Sequence, residues 1–161
     1  MRANSIKIGV IIAGLFLLLT PSPGQMSLGR AYLALDKSTF LDPEIVKFGV
    51  VMEAPQPFNA VDLALQYEPQ YLMLDQIATS SVCSLLIEKS IDNKAGQARL
   101  QCGSPAAQAT SSARIAELTF RKVQAGGTRL AISRSDLYLH DGSGTRITNQ
   151  SEVLELQIIK P

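Results

Sequence analysis

Between Ala60 and Tyr67 the chain alternates without a break, with Val61, Leu63, Leu65 and Tyr67 on one side and Ala60, Asp62, Ala64 and Gln66 on the other. A period of two is the geometry of an extended strand with one buried face, because successive side chains point to opposite sides of the backbone. The same period recurs at Ala31, Leu33 and Leu35, set against Tyr32 and Ala34. It recurs again at Val46, Phe48, Val50 and Met52, set against Lys47, Gly49, Val51 and Glu53. Turn-forming residues interrupt it roughly every eight to twelve positions, and no stretch has the spacing of an amphipathic helix. The pattern predicts an all-β sandwich or barrel.

The breaker Ala54-Pro55-Gln56-Pro57 is expected to separate the second strand from the third, since proline removes a ladder donor and fixes φ. Glu68-Pro69-Gln70 turns the chain into a short strand near Tyr71–Ile77. Later strands are predicted near Ile115–Val123, Arg129–Ile132 and Val153–Ile159. Their inward residues are Leu118 and Phe120, Leu130 and Ile132, and Leu154, Leu156 and Ile158. Gly126-Gly127 and Asp141-Gly142-Ser143-Gly144 read as the turns between them.

The length, 161 residues, suits one domain and is too short for a barrel enzyme or a two-domain dehydrogenase. A formal charge of +1 with no block of like charges gives a nucleic acid nothing to hold, so nucleic acid is excluded as a partner. At the N-terminus, Arg2 and Lys7 precede an apolar run from Ile8 to Leu19, and Thr20-Pro21-Ser22-Pro23-Gly24 ends it. That order is the order of a secretory signal, and the run falls short of the roughly 20 residues a spanning helix needs. Residues 1–26 are therefore read as a cleaved signal peptide or an uncleaved N-terminal anchor, and residues 27–161 as the domain. The protein is expected to be secreted or at the cell surface. Without residues 1–26 the chain keeps 13 bases against 14 acids, so attraction to an anionic membrane has no basis and the N-terminal segment is the sole membrane contact.

Two cysteines in an exported domain raise the expectation of a disulfide. If Asp92-Asn93 form a two-residue hairpin turn, Ile87 meets Ala98, Leu85 meets Leu100 and Cys83 meets Cys102, all on one apolar face and with the sulfurs in bridging range. Two buried free thiols are the alternative. A catalytic thiol lacks support, since nothing ties the single histidine to either cysteine.

That histidine, His140, sits in Ser135-Asp136-Leu137-Tyr138-Leu139-His140-Asp141. A Ser–His–Asp set drawn from one strand end rarely converges on a single reacting atom, and no nucleophile-elbow glycine pattern accompanies it. The segment reads as an exposed polar turn. One histidine and two cysteines do not make a zinc site, and Asp136 to Thr145 lacks the spacing of a calcium loop. No catalytic residue, metal or cofactor is assigned. Asn149-Gln150-Ser151 matches a glycosylation acceptor pattern but carries no weight by itself. Binding is the remaining class of function, and Ala60, Asp62, Ala64 and Gln66 form a small-residue surface able to accept a partner or to face water.

The run Pro57-Phe58-Asn59-Ala60-Val61-Asp62-Leu63-Ala64-Leu65-Gln66-Tyr67-Glu68-Pro69, followed by Leu72, resembles the third strand of cohesin modules. Ala116-Glu117-Leu118-Thr119-Phe120 and Gly127-Thr128-Arg129-Leu130-Ala131-Ile132 are similar to two later strands of that family. Asp141-Gly142-x-Gly144-Thr145-x-Ile147 fits its final turn. The resemblance implies a nine-stranded jelly-roll β-sandwich that is not an enzyme and that binds the dockerin modules of polysaccharide-degrading enzymes. In that family the dockerin lies across the sheet holding strands three, five, six and eight, with an Asn-x-Asp on strand three. Asp62 stands at the Asp position and Ala60 at the Asn position, while Glu68 replaces the usual Asp before Pro69. Ala60, Asp62, Ala64 and Gln66 are therefore the expected partner-binding residues.

Two other readings stay open. One is direct binding of polysaccharide, for which Tyr32, Tyr71 and Tyr138 are the available rings, Tyr67 being on the inward face and tryptophan absent. The other is a structural subunit of a surface appendage, joined by strand addition at an exposed sheet edge.

Overall fold

A computed structural model of the protein describes residues 29–35, 44–105, 109–149 and 152–159. The expected signal or anchor lies outside the described residues. The chain forms β1 (Arg30–Leu35), β2 (Ile45–Tyr67), β3 (Leu72–Thr79), β4 (Leu85–Asp92), β5 (Gln97–Gly103), β6 (Thr110–Lys122), β7 (Gly126–Leu139), β8 (Arg146–Thr148) and β9 (Glu152–Ile158). Among the described residues a 3-10 turn spans Ser81–Cys83. All pairings are antiparallel.

The organising element is β2, whose 23 residues serve both layers of the sandwich. Ile45 to Glu53 pairs with β1 and β6, and Phe58 to Tyr67 pairs with β5 and β7. Its register with β6 shifts between Glu53 and Phe58, where Pro55 and Pro57 have no N–H to give. The two prolines thus move the strand from one layer to the other without ending it. This corrects the expectation of two separate strands. One layer is β1–β2–β6–β3; the other is β4–β5–β2–β7, with β8 and β9 beyond β7.

The alternation has the phase the sequence predicts. Val46, Phe48, Val50 and Met52 from the first half of β2, and Val61, Leu63, Leu65 and Tyr67 from the second, are all buried. The Phe120 ring of β6 stands edge-on to Phe48, at 6.2 Å between centroids, and to Tyr67, at 5.3 Å, joining both halves of β2 in one core. Each such side chain, fully buried, contributes about 1.5–3 kcal/mol. Leu154 and Leu156 are half-buried and Ile158 buried, but Leu35, last in β1, is 49% exposed.

Three local expectations need correction. Gly126-Gly127 opens β7 instead of turning, with Gly126 at φ +146° against the Tyr71 ring. β7 then runs well past Ile132 to Leu139, so Ser135, Asp136, Leu137 and Leu139 are buried and exposure begins at His140. Only Asp141 to Gly144 is the expected turn, with the Asp141 carboxylate accepting the amides of Ser143 and Gly144.

The third correction is the hairpin register. Residues 93–96 make the turn: Asp92 accepts the amides of Lys94 and Ala95, and Gly96 takes φ +66°, which lacks a Cβ penalty only at glycine. A two-residue turn at Asp92-Asn93 needs positive φ at non-glycine positions, and no described non-glycine residue adopts it. Ile91 consequently faces Ala98, Lys89 faces Leu100 and Leu86 faces Cys102, with Ile87 bulged out between Leu86 and Glu88. Leu85 and Ile87 are 56% and 73% exposed and lie outside the buried core. The Cys83–Cys102 disulfide forms all the same, because Cys83 reaches β5 from the 3-10 turn that follows β3. It ties the end of β3, in one layer, to β5 in the other.

Candidate functional site

The outward positions of the second half of β2 are flanked on both sides by strands, so their neighbours follow from the ladder. Ala60 lies between Gly103 of β5 and Tyr138 of β7, Asp62 between Gln101 and Asp136, and Ala64 between Arg99 and Arg134. The sequence-predicted residues therefore do share one face, together with the charged ladder neighbours Arg99, Arg134 and Asp136, which the sequence reading did not assign to it. Ala60 and Ala64 are half-buried and Gln66 is exposed. Asp62 is not exposed: its side chain retains 6% of its accessible surface.

Two guanidiniums cover it. Arg99 Nε donates to Asp62 Oδ1 at 3.4 Å and Arg99 Nη2 to Oδ2 at 3.2 Å, while Arg134 Nη2 approaches the same Oδ2 at 3.2 Å. Arg134 also donates from Nε to Asp136 Oδ2 at 2.8 Å, and Thr148 Oγ donates to Asp136 Oδ1 at 2.6 Å. Glu88 of β4 lies 3.6 Å from Arg99 Nε at the other end of the chain of charges. The acids sit below and the arginines above: Asp136 keeps 2% exposure, whereas Arg99 keeps 40% and Arg134 45%. Hydrogen bonds donated to Asp62 and Asp136 respectively raise the pKa of Arg99 and Arg134. Burial acts to raise the Asp136 carboxyl, but the hydrogen bonds from Thr148 and Arg134 outweigh it and hold it below the ordinary carboxylate value.

The small side chains leave a depression of about 320 Å³ beside this network. Ala64, Gln66, Ser90, Asp92, Gln97 and Arg99 line it, and Ser133 closes one side with its hydroxyl on the Ala64 carbonyl at 3.2 Å. The face therefore offers a shallow polar recess with fixed charges at its edge.

Other sequence candidates lie elsewhere or are committed. Ser135 accepts from Asn149 Nδ2 at 3.0 Å, Asp136 serves Arg134 and Thr148, and His140 is exposed past the end of β7, so the three do not converge. Asn149 is 6% exposed, which withholds it from modification in the folded chain. Of the tyrosines, Tyr32 donates to Glu53 and lies under Arg30, Tyr71 packs at Gly126, and Tyr138 alone stands on the face described here. Glu68, longer by a methylene than the aspartate of the motif, reaches β7 to accept the Thr128 hydroxyl at 2.8 Å. Among the described residues no group of three or more His, Cys, Asp or Glu gathers as a metal site.

No protein-family model and no curated protein matches the sequence. Solved structures do match in shape. A cohesin module from a family 33 glycoside hydrolase of Clostridium perfringens superposes with a TM-score of 0.65 at 10% identity, over 83% of this chain and 98% of that one. The fold is that of a cohesin module. A non-cellulosomal cohesin from Archaeoglobus fulgidus gives a TM-score of 0.63 at 10% identity, covering 83% and 93% of the two chains. The cohesin of a type I cohesin–dockerin complex from Clostridium thermocellum gives 0.63 at 9% identity, over 82% and 99%. The cohesin-like sandwich here is a divergent one, with the Cys83–Cys102 bridge across its layers.

Proposed function

We propose that this cohesin-like domain is a non-catalytic module, secreted or at the cell surface, that binds another protein through the β4–β5–β2–β7 face. The partner is a dockerin-type module in a polysaccharide-handling setting. The observation that carries the reading is that Ala64 and Gln66 of the expected residues line a recess, with Asp62 on the same face pinned by Arg99 and Arg134 at its edge. Support comes from the shared fold with cohesins, one of them solved together with its dockerin. A pre-organised polar surface needs little ordering on binding, which favours recognition. His140 stands apart from the face, and the carboxylates Asp62 and Asp136 are bound up in ion pairs, so neither is placed to move a proton.

Solution binding between the folded protein and dockerin-bearing hydrolases of its own source tests the proposal. Saturable association at micromolar or lower Kd is expected; retention on insoluble polysaccharide with no such association contradicts it. The polysaccharide reading draws on one feature, the half-buried Tyr138 beside Ala60. Strand addition is opposed at the β4 edge, where the Ile87 bulge breaks the ladder and Lys89 points across toward the Ile77 carbonyl of β3.

A further inference from the structure

We infer that Arg99 and Arg134 together read a carboxylate, so that the partner covering this face presents an aspartate or glutamate side chain to them. This inference rests on the proposed role of the face and specifies the chemistry of what it meets.

The argument starts from the shared acceptor. Both guanidiniums contact Asp62 Oδ2 at 3.2 Å, which holds together two cations that come from the strands on either side of β2. Each uses its Nη2 edge for this, Arg99 adding Nε toward Asp62 and Arg134 adding Nε toward Asp136. Among the described residues nothing accepts from Nη1 of either, and both side chains are close to half exposed. The acids that neutralise the pair lie beneath it with 6% and 2% exposure, out of reach of an incoming group. An arriving carboxylate therefore meets donors whose geometry is already set, with the bidentate preference of guanidinium for carboxylate. Ala60 and Ala64 leave room above the strand for the approach. One group competes for the charge of Arg99: Glu88, 3.6 Å from its Nε and 40% exposed. A network serving only the fold would be indifferent to Glu88; a receptor for carboxylate is improved by its removal.

The probe is a blocked Gly-Glu-Gly tripeptide, with Gly-Gln-Gly as its uncharged twin, titrated into the folded protein while the arginine Nε–H resonances are followed by NMR. The Arg99 and Arg134 signals are expected to shift saturably with the Glu peptide, half-maximal in the millimolar range for so small a ligand. Glu88→Gln is expected to tighten that response about threefold, in line with the modest worth of an exposed ion pair. Arg129, 70% exposed and paired with Glu155, is the internal control and should not saturate. Equal response to both peptides, a response at Arg129 matching that of the pair, or no effect of Glu88→Gln would overturn the inference. The titration needs no partner protein. A domain that binds dockerin-bearing enzymes yet fails it keeps the proposed function and loses only the carboxylate.

Discussion

Asp62 and Asp136 stand opposite one another on β2 and β7 and hold a single cation between them, Arg134 Nη2 lying 3.2 Å from Asp62 Oδ2 and 2.8 Å from Asp136 Oδ2. Two buried like charges directly across a ladder would repel. The arginine makes them a unit, and Arg99 completes it from the other side.

Asp62→Ala should thus lower stability as well as partner affinity, because it frees both arginines from their shared acceptor. A loss of about 1–3 kcal/mol in urea unfolding is expected for a buried, hydrogen-bonded carboxylate. Unchanged unfolding would mean that the acid does not organise the face.

Asp136 adds a pH dependence. Its folded pKa is held below the ordinary 3.8, so the folded state favours the charged form. The stability it contributes is complete above pH 3.8 and disappears as pH falls through the lower folded value. Asp136→Asn should flatten that part of the acid limb in thermal melts taken at stepped pH; an unaltered limb contradicts the assignment.

The β4–β5 turn predicts a second titration. Asn93 accepts from Tyr67 Oη at 2.8 Å and pairs with both the N–H and the C=O of Leu74, like a length of strand added to β3. Asn93→Ala removes all three and should cost about 2–3 kcal/mol at roughly 1 kcal/mol each.

Tyr67 is pushed up to about 12, first by burial and then by Asp92. Its protonated form is thus favoured in the folded state, and the corresponding stability is full below pH 10 and lost as pH rises toward 12. Absorbance titration should show a tyrosine step near 12 that Tyr67→Phe deletes.

Reduction of the disulfide gives a further check. Closing a separation of 19 residues stabilises by about 3 kcal/mol on the chain-entropy account. The double variant Cys83→Ala, Cys102→Ala should lose that amount in urea and keep the fold; a loss near zero would place the bridge among ornaments of an already rigid core.

What the residues reveal in advance follows from the range of the forces. Alternation in β2 is local, and it assigns Phe48, Met52, Leu63 and Leu65 to the core correctly. The cysteine pairing was legible for a partly mistaken reason. Ala98, Leu100 and Cys102 do face inward, but the facing residues depend on turn length, which Gly96 at φ +66° sets. The continuity of β2 across Pro55 and Pro57 was hidden because its two halves take different partners. Arg99, Arg134 and Thr148 were invisible as site residues, since only non-local ladders bring them to Asp62 and Asp136. The single outward hint was Arg99 between the apolar Ala98 and Leu100.

The most direct measurement is the affinity of a dockerin-bearing enzyme for the folded protein with and without Ala64→Trp. Ala64 points out of the sheet into the recess, so an indole there blocks the face while leaving the core untouched. The account predicts an unfolding midpoint close to the wild type and a Kd weakened by at least about a hundredfold, as for obstruction at the centre of an interface. Equal affinity for both forms would show that the partner docks elsewhere and that this face is not the binding surface.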